Sequence, residues 1–140
     1  MTDQPLLSVY QQYQTDTTAE ADGQWVEFRP GIRVRIRSTT CDLVRTVEDR
    51  LAARLRPKLM ANNWRLPPKD ADAQEVEVLA QGVVVAWEGV TDAAGAVLEC
   101  TPATVRTVMT ALPAFRREVL MAARLDDTFR AAIQEELRGN

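Results

Sequence analysis

A chain of 140 residues with 17 basic and 20 acidic side chains, two cysteines and no histidine is long enough for one domain that buries about two-thirds of its unfolded surface without metal or disulfide. The missing histidine removes the usual general base, the commonest metal ligand and every Ser-His or Cys-His nucleophile. Cys41 and Cys100 stand too far apart for a C-x-x-C metal or redox pair, although a single bridge between them stays open.

No glycine-rich phosphate loop, no Gly-x-Ser-x-Gly elbow, no basic-apolar leader and no long apolar run is present. The expectation is a non-catalytic protein without metal or cofactor, outside the membrane and in a reducing cytoplasm. The formal net charge of −3 conceals segregation: residues 1–28 carry five acids and no bases, 29–69 eleven bases and three acids, and 70–140 six bases and twelve acids. A basic middle between acidic ends binds nucleic acid, or is neutralised by acids of the same chain or of a neighbouring copy.

Residues 1–23 offer only Leu6, Leu7, Val9, Tyr10 and Tyr13 for packing, too little to offset the entropy of ordering, so a flexible arm is expected. Leu6, Tyr10 and Tyr13 share a helical face if the arm docks. One domain then spans 24–140. In its hairpin, 24–37, Val26 and Phe28 alternate with Glu27 and Arg29, Pro30-Gly31 supplies the turn, and Ile32, Val34 and Ile36 alternate with Arg33, Arg35 and Arg37.

A helix over 41–56 follows, with Thr39 as hydroxyl cap and Asp42 three residues on; Leu43, Val47, Leu51 and Leu55 form its stripe, and Pro57 ends or kinks it. Asn62-Asn63, Pro67-Pro68 and Asp70-Ala71-Asp72 mark a linker, 62–74, with Trp64 and Leu66 tacked to the core. A second helix is expected to place Val76, Leu79, Ala80, Val83, Val84 and Trp87 on one face; Gly89 lets the chain out, and Asp92 with Gly95 turns it. Thr101 caps and Pro102 opens a helix with Val105, Val108, Met109 and Leu112. Pro113 restarts the chain, giving stripes of Phe115, Val119, Leu120 and Ala123, then Phe129, Ala132, Ile133 and Leu137 after a cap at Asp126 or Asp127, with Gly139 as the stop. The class is α+β: a mainly helical single domain with an N-terminal β-hairpin.

Arg33, Arg35 and Arg37 on one strand face, with Arg45, Arg50, Arg54, Arg56 and Lys58 on the following helix, suit a phosphate backbone. No aromatic stands among them in sequence, so a solvated or internally paired face ranks first, a protein partner next and nucleic acid last. Arg33, Arg35, Arg37, Arg50 and Arg54 are the candidate partner-binding residues. Asp70, Asp72, Glu75 and Glu77 match no Ca²⁺-loop spacing and read as linker and acidic first turn. Trp25, Trp64 and Trp87 read as core residues whose indole N–H needs an acceptor.

The succession of an apolar segment ending in Trp87, then Gly89-Val90, Asp92, Gly95, an extended Val97-Leu98-Glu99-Cys100, and a Thr101-Pro102 helix running to Leu112-Pro113 with Phe115 after it, resembles the tail assembly chaperones of long-tailed (siphovirus-like) bacteriophages. The hairpin and capped helix before it are similar as well, so the resemblance covers roughly residues 24–138. It implies a non-catalytic factor of the host cytoplasm, absent from the mature virion, that binds the tape measure protein and helps recruit tail tube protein. The family's frequent companion is a longer, frameshifted form. A head-to-tail homo-oligomer through the segregated charge fits that role. The rivals are a nucleic-acid-binding regulator using Arg33, Arg35 and Arg37, and a structural virion component.

Overall fold

The structure, a computed structural model, describes residues 8–130. These form α1 (Val9–Tyr13), α2 (Thr17–Asp22), β1 (Gln24–Arg29), β2 (Ile32–Ile36), α3 (Asp42–Ala61), α4 (Pro68–Val78), a π-helical turn (Leu79–Val83), β3 (Val84–Glu88), α5 (Pro102–Ala111) and α6 (Pro113–Arg124). Residues 126–130 are helical again. The class is α+β, with the expected N-terminal hairpin at the head of a mostly helical domain. The expectations for Leu6, Ala132, Ile133, Leu137 and Gly139 lie outside the described residues.

Alternation builds the hairpin. Val26 stands opposite Val34, and Trp25 opposite Arg35; Gly31 takes a φ of 82° at the second turn position, where a side chain would be strained. One sheet face carries Val34 and Ile36, both fully buried, against Val44 and Val47 of α3, Leu79 and Val83 of the π turn, and the inner stripes of α5 and α6. Burying each such side chain contributes about 1.5–3 kcal/mol. Thr101 caps α5 through a reciprocal box with Thr104, and proline opens both α5 and α6. Phe129 joins the core at 1% exposure.

Four expectations are corrected. Val84–Glu88 is not the end of a helix but a third strand, antiparallel to β2, giving the order β1-β2-β3. A five-residue apolar run fits either period, and consecutive β-branched residues sit better in a ladder that completes the open edge of β2. Pro57 does not end α3, which continues to Ala61. Proline removes one helical bond on a side open to water, and the buried stripe holds the rest.

The cap of α3 is Cys41, without a side-chain bond, rather than Thr39. Finally, the second half of the expected linker is helical, because Pro68 occupies the first position of α4 and Asp70 its first turn.

Among the described residues of the expected arm, neither α1 nor α2 has a buried side chain. Hydrogen bonds hold α2 to the sheet end: the Glu20 carbonyl accepts from the Ser38 N–H at 2.9 Å, and the Glu20 carboxylate from the Thr40 hydroxyl at 2.6 Å. Trp87 is buried, and its indole N–H donates to the Leu98 carbonyl at 2.8 Å. It thereby pins the loop in which the Asp92 carboxylate accepts from the Ala94 and Ala96 N–H groups at 2.9 Å. Cys41 and Cys100 are free thiols, and burial pushes the Cys100 thiol above its ordinary pKa.

Candidate functional site

The five candidate arginines do not form one patch. Arg33 pairs with Glu88 of β3 at 3.0 Å and lies 4.9 Å over the Trp25 ring. An aromatic therefore does stand among the arginines, brought there by the neighbouring strand and invisible along the sequence. Arg35 approaches the Gly23 carbonyl at 3.5 Å. Arg37 donates to the Ala21 and Gly82 carbonyls, both at 2.9 Å.

Arg50 donates to the Gln81 side chain, so Arg37 and Arg50 meet at the same π turn. Arg54 adds a weaker attraction toward Glu77. Three of the five thus serve contacts between elements of this chain, and Arg33 divides itself between a strand partner and an indole.

Sequence reasoning missed Arg116. It occupies α6 at the spacing of the buried Val119, Leu120 and Ala123, and it is only 6% exposed. Its Nη1 donates to the Met109 carbonyl of α5 at 3.2 Å, Nη2 pairs with Asp72 of α4 at 3.2 Å, and Nε lies 3.4 Å from Glu75 without the alignment of a hydrogen bond. One guanidinium therefore joins three helices. The signal was a cation inside an apolar stripe, with two acids spaced three apart on another helix.

The same helix α4 spends its other acids likewise. Asp70 pairs with Lys58 at 2.8 Å and Glu77 with Arg106 at 2.8 Å. The Arg106 hydrogen bond outweighs partial desolvation and, with help from Gln81 and Arg54, holds the Glu77 carboxyl below its ordinary value. The acids read as linker and first turn are ion-pair partners, and no group of three or more acids or cysteines among the described residues is arranged to hold a metal. A cavity of about 440 Å³ between α4, α5 and α6 is lined by Lys69, Asp72, Val76, Glu77, Arg106 and Arg116, and of its charges Asp72, Glu77, Arg106 and Arg116 already have partners.

A different opening lies where α5 meets α6. Pro113 cannot continue α5, so the corner leaves Ala111, Leu112, Pro113 and Ala114 exposed. With Ile32, Val90, Val108 and Phe115 these residues line an apolar groove of about 410 Å³, rimmed by Arg29 and Glu118, themselves paired at 2.8 Å. Phe28 meets Phe115 edge-on at 6.2 Å behind it. Gly89, at a φ of 78°, passes so close to the Gly31 carbonyl that a Cβ would stand 1.8 Å from its oxygen. Glycine there lets the loop after β3 close one side of the groove.

Trp64 also departs from expectation. Instead of being tacked to the core it is 66% exposed, while Leu66 is half-buried. Asn63 and Trp64 take φ of 54° and 62°, and the Trp64 N–H bonds back to the Leu59 carbonyl at 2.7 Å, the closing bond of a left-handed helix end. That geometry turns the indole outward.

Among the described residues no helix is long and apolar enough to cross a membrane. Compared with known proteins, residues 42–140 match the family model described as YdaY prophage protein. No curated protein and no solved structure matches. The matched span covers α3 through α6 and runs on beyond the described residues, leaving the hairpin outside it.

Proposed function

From a chain that belongs to the YdaY prophage protein family, we propose a tail assembly chaperone: a non-catalytic factor that holds an apolar helical segment of the tape measure protein until tail tube protein polymerises around it. It acts in the host cytoplasm and is left out of the finished virion. A phage-derived family is the setting this reading requires. One observation carries it further: Gly89, Val90, Leu112, Pro113 and Phe115, scattered along the resemblance to tail assembly chaperones, come together on a single apolar groove.

A groove of that volume accepts two or three large apolar side chains, as an amphipathic helix offers at i, i+3 or i+4 and i+7. The paired Arg29 and Glu118 at its rim can receive the polar flanks of such a helix. The sheet arginines support nucleic-acid binding less well, because Arg33, Arg35 and Arg37 already hold a carboxylate, an indole and backbone carbonyls within the chain.

The test is co-expression with the long helical protein encoded among the tail genes of the same prophage. The expected result is that recovery of soluble partner depends on this chain and falls with Leu112→Glu, which places a charge in the groove while the fold is retained. If partner recovery is the same without this chain, or if the chain is a stoichiometric component of finished particles, the reading fails.

A further inference from the structure

The outer side of α3 carries charges that the rest of the fold does not use. Val44, Val47 and Leu51 face inward. On the opposite side Asp42, Arg45, Asp49, Ala52, Ala53, Arg56, Pro57 and Met60 are all exposed. Arg29, Arg33, Lys58, Arg106 and Arg116 each have a carboxylate partner in the chain. Asp42, Arg45, Asp49 and Arg56 share in none of the side-chain bonds or ion pairs among the described residues.

Their order is self-complementary. Asp49 lies three residues before Ala52, and Arg56 three residues after Ala53. A second α3 laid antiparallel across this alanine pair sets each Asp49 against the Arg56 of the other copy, twice by symmetry, and the small side chains let the helix axes approach. The ends complement each other in the same way. Leu43 at the start of α3 is 45% exposed, and Met60 and Trp64 at its finish are 61% and 66% exposed. Antiparallel pairing brings the start of each helix to the finish of the other, covering Met60 and Trp64, whereas Leu43 lies beside Val47 on the inner flank and takes no part. It also gives a use for an indole held outward at positive φ, a conformation that costs a bulky residue energy and persists where function needs it.

We propose that a second copy of this chain occupies this face, forming a closed two-fold dimer through antiparallel α3 helices. The face shares no residue with the apolar groove, so the dimer carries two grooves and stands or falls independently of the chaperone reading. Nucleic acid and anionic membrane fit worse, because Asp42 and Asp49 repel phosphate along half of the stripe. With about 30 Å of helix on each side, the contact is at the small end of specific interfaces and therefore concentration-dependent.

Charge reversal tests it on the full chain. Sedimentation equilibrium at low salt is expected to show a monomer–dimer equilibrium for the parent. Asp49→Arg alone and Arg56→Asp alone are each expected to weaken it roughly tenfold or more, since two attractions become two repulsions. An equimolar mixture of the two variants should recover a heterodimer, and the double variant Asp49→Arg/Arg56→Asp a homodimer, near parental strength. Unchanged urea midpoints, expected at such exposed positions, separate lost association from misfolding. A parent that stays monomeric at millimolar concentration, single variants that associate like the parent, or a mixture that recovers nothing would each overturn the proposal, as would association that tracks DNA or vesicles instead.

Discussion

Helices α3 and α4 are neighbours in sequence and comparably charged, yet they use charge in opposite ways. Every acid of α4 is turned to account inside the chain: Asp70 on Lys58, Asp72 and Glu75 on Arg116, Glu77 on Arg106. On the outer face of α3, Asp42, Asp49 and Arg56 meet solvent. A shared density of charged residues thus says little about role; what decides it is whether a counter-charge arrives from another element. Three bases of the basic middle, Arg29, Arg33 and Lys58, find acids of the later segment within one copy, while Asp42, Arg45, Asp49 and Arg56 stay together on one side of α3.

The comparison breaks most easily at Arg116. Replacing it by methionine keeps much of the volume but leaves the Met109 carbonyl without its donor and Asp72 and Glu75 facing each other. Loss of one member of a buried pair costs about 3–5 kcal/mol, and since Asp72 remains open to water the expected loss is about 2–3 kcal/mol. Urea unfolding measures it; a loss under 1 kcal/mol would mean that α4 is held by its apolar face alone. Arg116→Lys should recover only part, because one ammonium cannot reach three partners on three helices.

How much of this was legible follows from which signals are local. The hairpin, its turn and the paired starts of α5 and α6 announce themselves through alternation, Pro30-Gly31 and the capping threonine with its proline, all properties of adjacent residues. Strand β3 does not, because Val83-Val84-Val85 fits either period and only the open edge of β2 decides. Pro57 misleads for a related reason: local preference says stop, and the packing of Val44, Val47 and Leu51 outweighs it. The groove joins residues from the hairpin, the loop after β3 and the α5–α6 corner, so it exists only once the chain is folded. Arg116 left a trace, a cation in an apolar stripe, and Trp25 beside Arg33 left none.

A finer probe of the contrast is Trp64. If α3 ends as it does for stability, Trp64→Gly should be neutral or harmful. If the left-handed turn serves to present the indole, glycine relieves the φ of 62°, and stability of the monomer rises by about 0.5–1 kcal/mol. Measured at micromolar protein, a loss instead of a gain would show that Trp64 packs in the fold more than its exposure suggests. Smaller still, Arg56→Asp should shift the monomer by less than about 0.5 kcal/mol, since it has no partner to lose among the described residues. A larger loss would mean that the outer face of α3 is supported from within.

The smallest effect is also the one that isolates the α4 side of the contrast. The Arg106 hydrogen bond, then Gln81, keep the folded Glu77 carboxyl below its ordinary 4.5, so this acid binds its proton more readily when unfolded. Its contribution is therefore fully present above the unfolded value and is lost as pH falls through the lower, folded value. Glu77→Gln abolishes that dependence. The stability gap between parent and variant should stay level from neutral pH down to about pH 5 and close below it, as followed by urea midpoints across the acid range. A gap that stayed open at the acid end would show that the variant disturbs packing beside Arg106 and Gln81, and that the ion pair itself contributes little.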